Sequence, residues 1–252
     1  ALRDHFNPVF PDFNTEYPDQ LRADEFLNEF DNFVRAHQEG KGTELPAYVL
    51  LYLPDDHTHG TTPGKPRPAA SVADNDLAVG RVVEALSHSP YWDDTAIFII
   101  EDDAQDGADV DAHRSIAFEI SKYSPGSAER PFVDSRFYTT VNMVHTVETL
   151  LGLPAMNQND AHAPVMAPLF SGQGDQPPFT ADWSNRDNGF IYQTNPARGQ
   201  GAAESAKMDF SRPDAVNTAV LNPILWRDRK GSIPMPVPRH TVLPRKRSRD
   251  TD

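Results

Sequence analysis

Two acidic clusters carry the chemistry that this sequence offers. The first is Pro54-Asp55-Asp56-His57-Thr58-His59-Gly60, and the second is Glu101-Asp102-Asp103, followed at a short distance by His113. Carboxylates and imidazoles gathered in one place repel or desolvate one another unless a cation sits among them. Asp56 and His57 are adjacent and fit a tight turn in which each faces one ion. Asp55 and His59 have a D-x-x-x-H spacing that can also fold onto one ion. Oxygen-plus-imidazole ligation suits Zn²⁺, Mn²⁺ or Fe and does not select among them. The plain alternatives are an Asx-rich turn with surface histidines at the first cluster and, at the second, a loop cap at Asp102 with Asp103 paired to Arg114.

The elements needed to bring these clusters together can be read from the apolar runs before them. Tyr48-Val49-Leu50-Leu51-Tyr52-Leu53 leads into the first cluster and Ala96-Ile97-Phe98-Ile99-Ile100 into the second. Short apolar runs bounded by turn signals suit strands covered on both faces, and open α/β sheets place their sites at the carboxyl ends of such strands. Between the runs, Val79, Val82, Val83 and Leu86 mark a helical face, with Ser71 as its expected N-cap. Strand, helix and strand in this order predict a right-handed parallel crossover, with Ile116 to Ile120 as a further strand. Phe26, Leu27, Phe30, Phe33 and Val34 predict a helix over 23–37. Thr139 or Thr140 is expected to cap a helix through Val141, Val144, Val147, Leu150 and Leu151, closed by Gly152. The fold class expected is α/β, a three-layer α/β/α arrangement with a mainly parallel sheet. Residues 1–170 form its domain, and 171–252 a Pro- and Gly-rich arm anchored at Trp183, Phe190, Leu221, Ile224 and Leu225, with a basic tail.

Composition narrows the function classes. The chain has 252 residues, no cysteine, 38% hydrophobic residues and a formal net charge of −14. That charge argues against general nucleic-acid or anionic-membrane binding, but not against an anionic substrate beside a bound dication. Without cysteine there is no disulfide frame and no thiolate metal site. No apolar stretch approaches the length of a membrane span. There is no glycine-rich phosphate loop, G-x-S-x-G elbow or zincin motif.

Longer stretches make the sequence recognisable. They are Leu53-Pro54-Asp55-Asp56-His57-Thr58-His59-Gly60-Thr61, Ala73-Asp74-Asn75-Asp76-Leu77-Ala78-Val79-Gly80-Arg81, Ser87-His88-Ser89-Pro90-Tyr91-Trp92, Glu101-Asp102-Asp103-Ala104-Gln105-Asp106-Gly107, Asp111-Ala112-His113-Arg114 and Leu221-Asn222-Pro223-Ile224-Leu225-Trp226. In them the chain resembles the bacterial phosphoesterases of the alkaline phosphatase superfamily often fused to a YVTN-like β-propeller, and specifically their C-terminal portion. The resemblance implies a metal-dependent hydrolase of phosphate esters, periplasmic or extracellular. It further implies divalent metal ions, two in number, with Zn, Mn, Fe and Ca not distinguished. By position it implies Asp56, His57, Asp102, Asp103 and His113 as metal ligands. The family reads asparagine where this chain has Asp55, and D-H-V-D-A-H-R where Asp109-Val110-Asp111-Ala112-His113-Arg114 lacks the first histidine. Its Ser or Thr nucleophile precedes the D-H segment by a long stretch, and no residue of 1–54 stands in the strand-to-helix context that nucleophile needs. The expected partners are therefore a phosphate-ester substrate and an N-terminal half or β-propeller region, covalent or as a separate chain. A non-catalytic surface or assembly component that keeps a degenerate fold is the competing expectation.

Overall fold

The computed structural model describes residues 3, 5–101, 115–213 and 215–237. Helix α1 (Asp19–Glu39) begins after Pro18, with Asp19 in its first turn, where a carboxylate meets the positive end of the helix dipole. It stops at Gly40, whose left-handed backbone (φ 62°) lets its N–H close on the carbonyls of Ala36 and His37. Helix α2 (Pro68–Ser87) starts three positions before the expected cap. Pro68 takes the first helical position, which suits a residue with no N–H to satisfy, and Ser71 lies inside the helix rather than at its cap.

The core is built on α2. Its residues Ala78 and Val82 pack with Ala23 of α1, and Phe26, Leu51, Leu53 and Leu86 close around them. Ala73 and Leu77 pack instead on Ala181 and Ile191, with Trp183 and Phe190 alongside. The small residues at the first contact allow α1 and α2 to approach closely. Burial of a side chain such as Leu77 stabilises by about 1.5–3 kcal/mol, so the second contact fastens the 181–191 region to α2.

The expected three-layer α/β/α core with a mainly parallel sheet does not form. Among the described residues the sheet has two strands, β1 (Ala96–Ile100) and β2 (Ala117–Ser121), paired antiparallel from Ala96↔Ser121 to Ile100↔Ala117. Among the described residues, 48–53 lie in no strand. Leu51 and Leu53 face the helices, while Tyr48 is 59% and Leu50 81% exposed. An apolar run records a preference for burial and extended backbone; it does not supply a pairing partner. Because 48–53 lie outside the sheet of the described residues, α2 does not link two parallel strands there, and the strand over Ala117–Ser121 returns antiparallel beside β1 instead.

The remaining elements are α3 (Thr140–Leu151), α4 (Gln158–Ala161), α5 (Ser184–Asp187), α6 (Ala202–Ser205) and α7 (Thr218–Lys230), with short 3₁₀ turns at Asp55–His57, Trp92–Asp94, Ala167–Phe170 and Phe190–Tyr192. Thr139 caps α3, and the Asn142 side chain accepts the Thr139 N–H at 2.8 Å. Within 218–230 a helix forms despite Pro223, with Leu221 and Ile224 buried. Among the described residues no helix is long and apolar enough to cross a membrane.

Candidate functional site at the Asp55–Gly60 turn

The turn that carries the first acidic cluster is a single 3₁₀ turn over Asp55–His57. Two helices hold it. On the α1 side, the Asp55 N–H donates to Asp19 Oδ2 at 2.9 Å. On the α2 side, Asn75 Nδ2 donates to the same oxygen at 3.0 Å and to the Leu53 carbonyl at 2.8 Å. Asp19 is also paired at 3.1 Å with Arg22, both side chains being fully buried. Arg22 in turn donates to the carbonyls of Asp12, Asn14 and Tyr17, which ties the irregular N-terminal segment to α1.

These contacts place three buried carboxyls together: Asp19, Asp55 and Asp74. Burial pushes the Asp55 carboxyl up to about 8, and the nearby charges of Asp74 and Asp19 add to the effect. Burial likewise raises Asp74 to about 6, against the hydrogen bond it accepts from the Gln20 N–H. Asp19 is also raised by burial, and its hydrogen bonds and the Arg22 charge oppose this. Asp55 and Asp74 line a cleft of about 600 Å³ together with Ser71, Arg81, Trp183 and Arg186. The buried Ser71 hydroxyl has no hydrogen-bond partner among the described residues. Arg81 is engaged by Gln20 and Asp24, and Arg186 by Asp187 and the Trp183 ring. The sequence clusters alone do not point to Asp19 and Asp74, because they sit singly on two helices. The only trace in the sequence is an acid in the first turn of α1 and another in the Ala73-Asp74-Asn75-Asp76 stretch of α2.

Asp56 and His57 occupy consecutive positions on the turn and are partly exposed, and the His57 ring meets Phe13 edge-on at 5.2 Å. His59 is 5% exposed. Its Nε2 lies 3.1 Å from the Thr15 carbonyl, and its ring packs at 5.3 Å from Phe210. This imidazole holds the N-terminal segment and the 202–213 region against the turn. Asp102, Asp103 and His113 lie outside the described residues. Among the described residues no group of three or more His, Asp or Glu side chains is arranged to hold a metal ion. Asp56 and His57 fit oxygen-plus-imidazole ligation by type, as two donors on one turn.

Between His57 and His59 the backbone is strained. Thr58 has φ 58° and ψ 178°, and among the described residues it is the one non-glycine with positive φ. That region is essentially reserved for glycine, and a β-branched residue there costs on the order of 1–3 kcal/mol. Thr58 is buried, and its Oγ1 accepts the Gly60 N–H at 3.0 Å. No protein-family model, curated protein or solved structure matches the chain.

Proposed function

We propose that the chain is the metal-holding part of a hydrolase of phosphate esters, and that the group attacking phosphorus comes from another part of the enzyme. The strained Thr58 backbone, set between two imidazoles and next to two carboxylates, carries this reading. Strain of this kind persists only where the surrounding structure enforces it, and it concentrates at functional sites. In the reading, Asp56 and His57 hold a divalent ion with Asp102, Asp103 and His113, two ions in all. Such ions polarise phosphoryl oxygens and lower the pKa of bound water. The remaining parts of the reading follow from the same resemblance: a phosphate-ester substrate, a periplasmic or extracellular setting, and a nucleophile-bearing half or β-propeller as partner.

The test is metal binding by the 252-residue chain. Titration calorimetry with Zn²⁺ and Mn²⁺ is expected to show saturable binding that Asp56→Ala and His57→Ala each weaken. Binding indifferent to both substitutions would remove the reading. A second reading, a non-catalytic assembly component, is favoured by exposed apolar side chains, among them Leu50 at 81%, Val133 at 77% and Phe137 at 70%. It expects self-association or capture of a partner without specific metal binding.

A further inference from the structure

We infer that Asn195 and Ser205 are positioning residues which lock the Thr58 turn in its strained form and so set the direction of Asp56 and His57. The inference rests on the metal-site reading for its purpose, but on geometry of its own for the clamp. Asn195 is 5% exposed, and its side-chain amide donates to the carbonyls of Gly60 at 3.1 Å, Thr62 at 3.0 Å and Pro66 at 3.1 Å. Its main chain adds two bonds: its N–H donates to the Lys65 carbonyl at 2.8 Å, and its carbonyl accepts the Gly64 N–H at 3.0 Å. One residue from a distant part of the chain therefore organises the whole loop that follows the turn.

Ser205, fully buried, works from the other side. Its Oγ accepts the Thr61 N–H at 3.1 Å and lies 3.2 Å from Thr61 Oγ1. The fit at Gly60 (φ 54°) is close: a Cβ there would stand 2.7 Å from Ser205 Oγ and 3.0 Å from Leu221 Cδ1. Phe210 against His59 completes the enclosure. A loop left to itself would relax Thr58 to negative φ, and the bonds from Asn195 and Ser205 oppose that relaxation. A fold needing only stability would place glycine at 58. Threonine held by a clamp keeps one backbone geometry and forbids others.

The experiment uses the full chain, with Zn²⁺ as the probe, and compares wild type with Asn195→Ala, Ser205→Ala and Thr58→Gly. Asn195→Ala and Ser205→Ala are expected to raise hydrogen exchange at the Gly60–Thr62 amides at least tenfold and to weaken Zn²⁺ binding at least tenfold. Thr58→Gly is expected to hold or raise the melting temperature while weakening Zn²⁺ to a similar degree, a split that a merely structural role would not give. Wild-type exchange and affinity in both Asn195→Ala and Ser205→Ala would overturn the inference, as would a fall in melting temperature for Thr58→Gly with affinity unchanged. If either alanine variant fails to fold, the other and Thr58→Gly decide. Should wild type bind no Zn²⁺, the metal-site reading fails by itself and exchange at Gly60–Thr62 decides the clamp: faster exchange in the variants supports it, and unchanged exchange overturns it.

Discussion

Asp55 illustrates how a single carboxyl can set the pH behaviour of this turn. Its pKa is raised to about 8 by burial and by the neighbouring charges of Asp74 and Asp19. The unfolded chain ionises Asp55 near 3.8, whereas the folded chain keeps its proton until about 8. Stability from this group is thus full below pH 3.8, falls as pH rises towards 8, and is flat above it. Asp74, raised to about 6, acts in the same direction over a narrower window. Asp55→Asn replaces the acid with a neutral near-isostere, the residue that the resembled family carries there. It is expected to gain roughly 2–5 kcal/mol over wild type at pH 8 and little at pH 4. Urea unfolding at both pH values measures this, and an equal effect at pH 4 and pH 8 would show that Asp55 is not protonated in the fold. Arg22 carries the opposite prediction. Arg22→Ala leaves Asp19 buried without its cation and three carbonyls without their donor, and is expected to cost about 3–5 kcal/mol in the same assay.

At the scale of elements, the arm is held by close backbone approaches as much as by apolar anchors. Gly201, which precedes α6, has φ 72°, and a Cβ on it would stand 2.5 Å from Ile224 Cγ2 of α7. Gly64 has φ 77°, and a Cβ on it would meet no described atom within 4 Å. Gly64→Ala therefore meets only the backbone penalty, about 1 kcal/mol. Gly201→Ala meets that penalty and overpacking as well, and is expected to cost at least about 1 kcal/mol more. Denaturant midpoints compare the two; equal losses would mean that α6 and α7 give way freely. The sequence made α1, α2 and α3 legible because each has apolar residues at helical spacing, and α3 also has a recognisable start and stop at Thr139 and Gly152, whereas Ser71 misplaces the start of α2. It misled at 48–53. An apolar run describes one stretch of chain, whereas a strand is a relation between two, and among the described residues 48–53 join no strand. The antiparallel return of β2 beside β1 was hidden for the same reason. The acidic turn was visible as residue types, but the clamp on it was not. Asn195 and Ser205 belong to a region without periodicity, and their role depends on contacts across 135 and 144 positions of chain.

For the whole molecule the question is whether these residues complete a reaction. A phosphoryl-transfer site of the proposed kind needs a nucleophile in line with the leaving group, since positioning supplies much of the rate. Residues 1–54 contain two Ser or Thr side chains, Thr15 and Thr43. Thr15 is 4% exposed and turned to the Phe210 carbonyl at 3.5 Å, while Thr43 lies in an exposed irregular stretch. Neither stands at the start of a helix after a strand. Beyond the turn, Ser71 is buried inside α2, and the Thr61 hydroxyl lies against Ser205. The chain alone, loaded with Zn²⁺ or Mn²⁺, is therefore expected to hydrolyse an activated aryl phosphate mono- or diester only at the weak rate of a metal-bound hydroxide. Initial rates for wild type and Asp102→Ala, measured over matched metal concentrations, decide the matter. Weak turnover that both share, or that follows free metal, agrees with a nucleophile supplied from elsewhere. Robust turnover abolished by Asp102→Ala would mean that these 252 residues carry a complete site. One of the hydroxyls judged unsuitable would then be the nucleophile, and Ser71, buried beside Asp55 and Asp74 with no hydrogen-bond partner among the described residues, would be the first to replace.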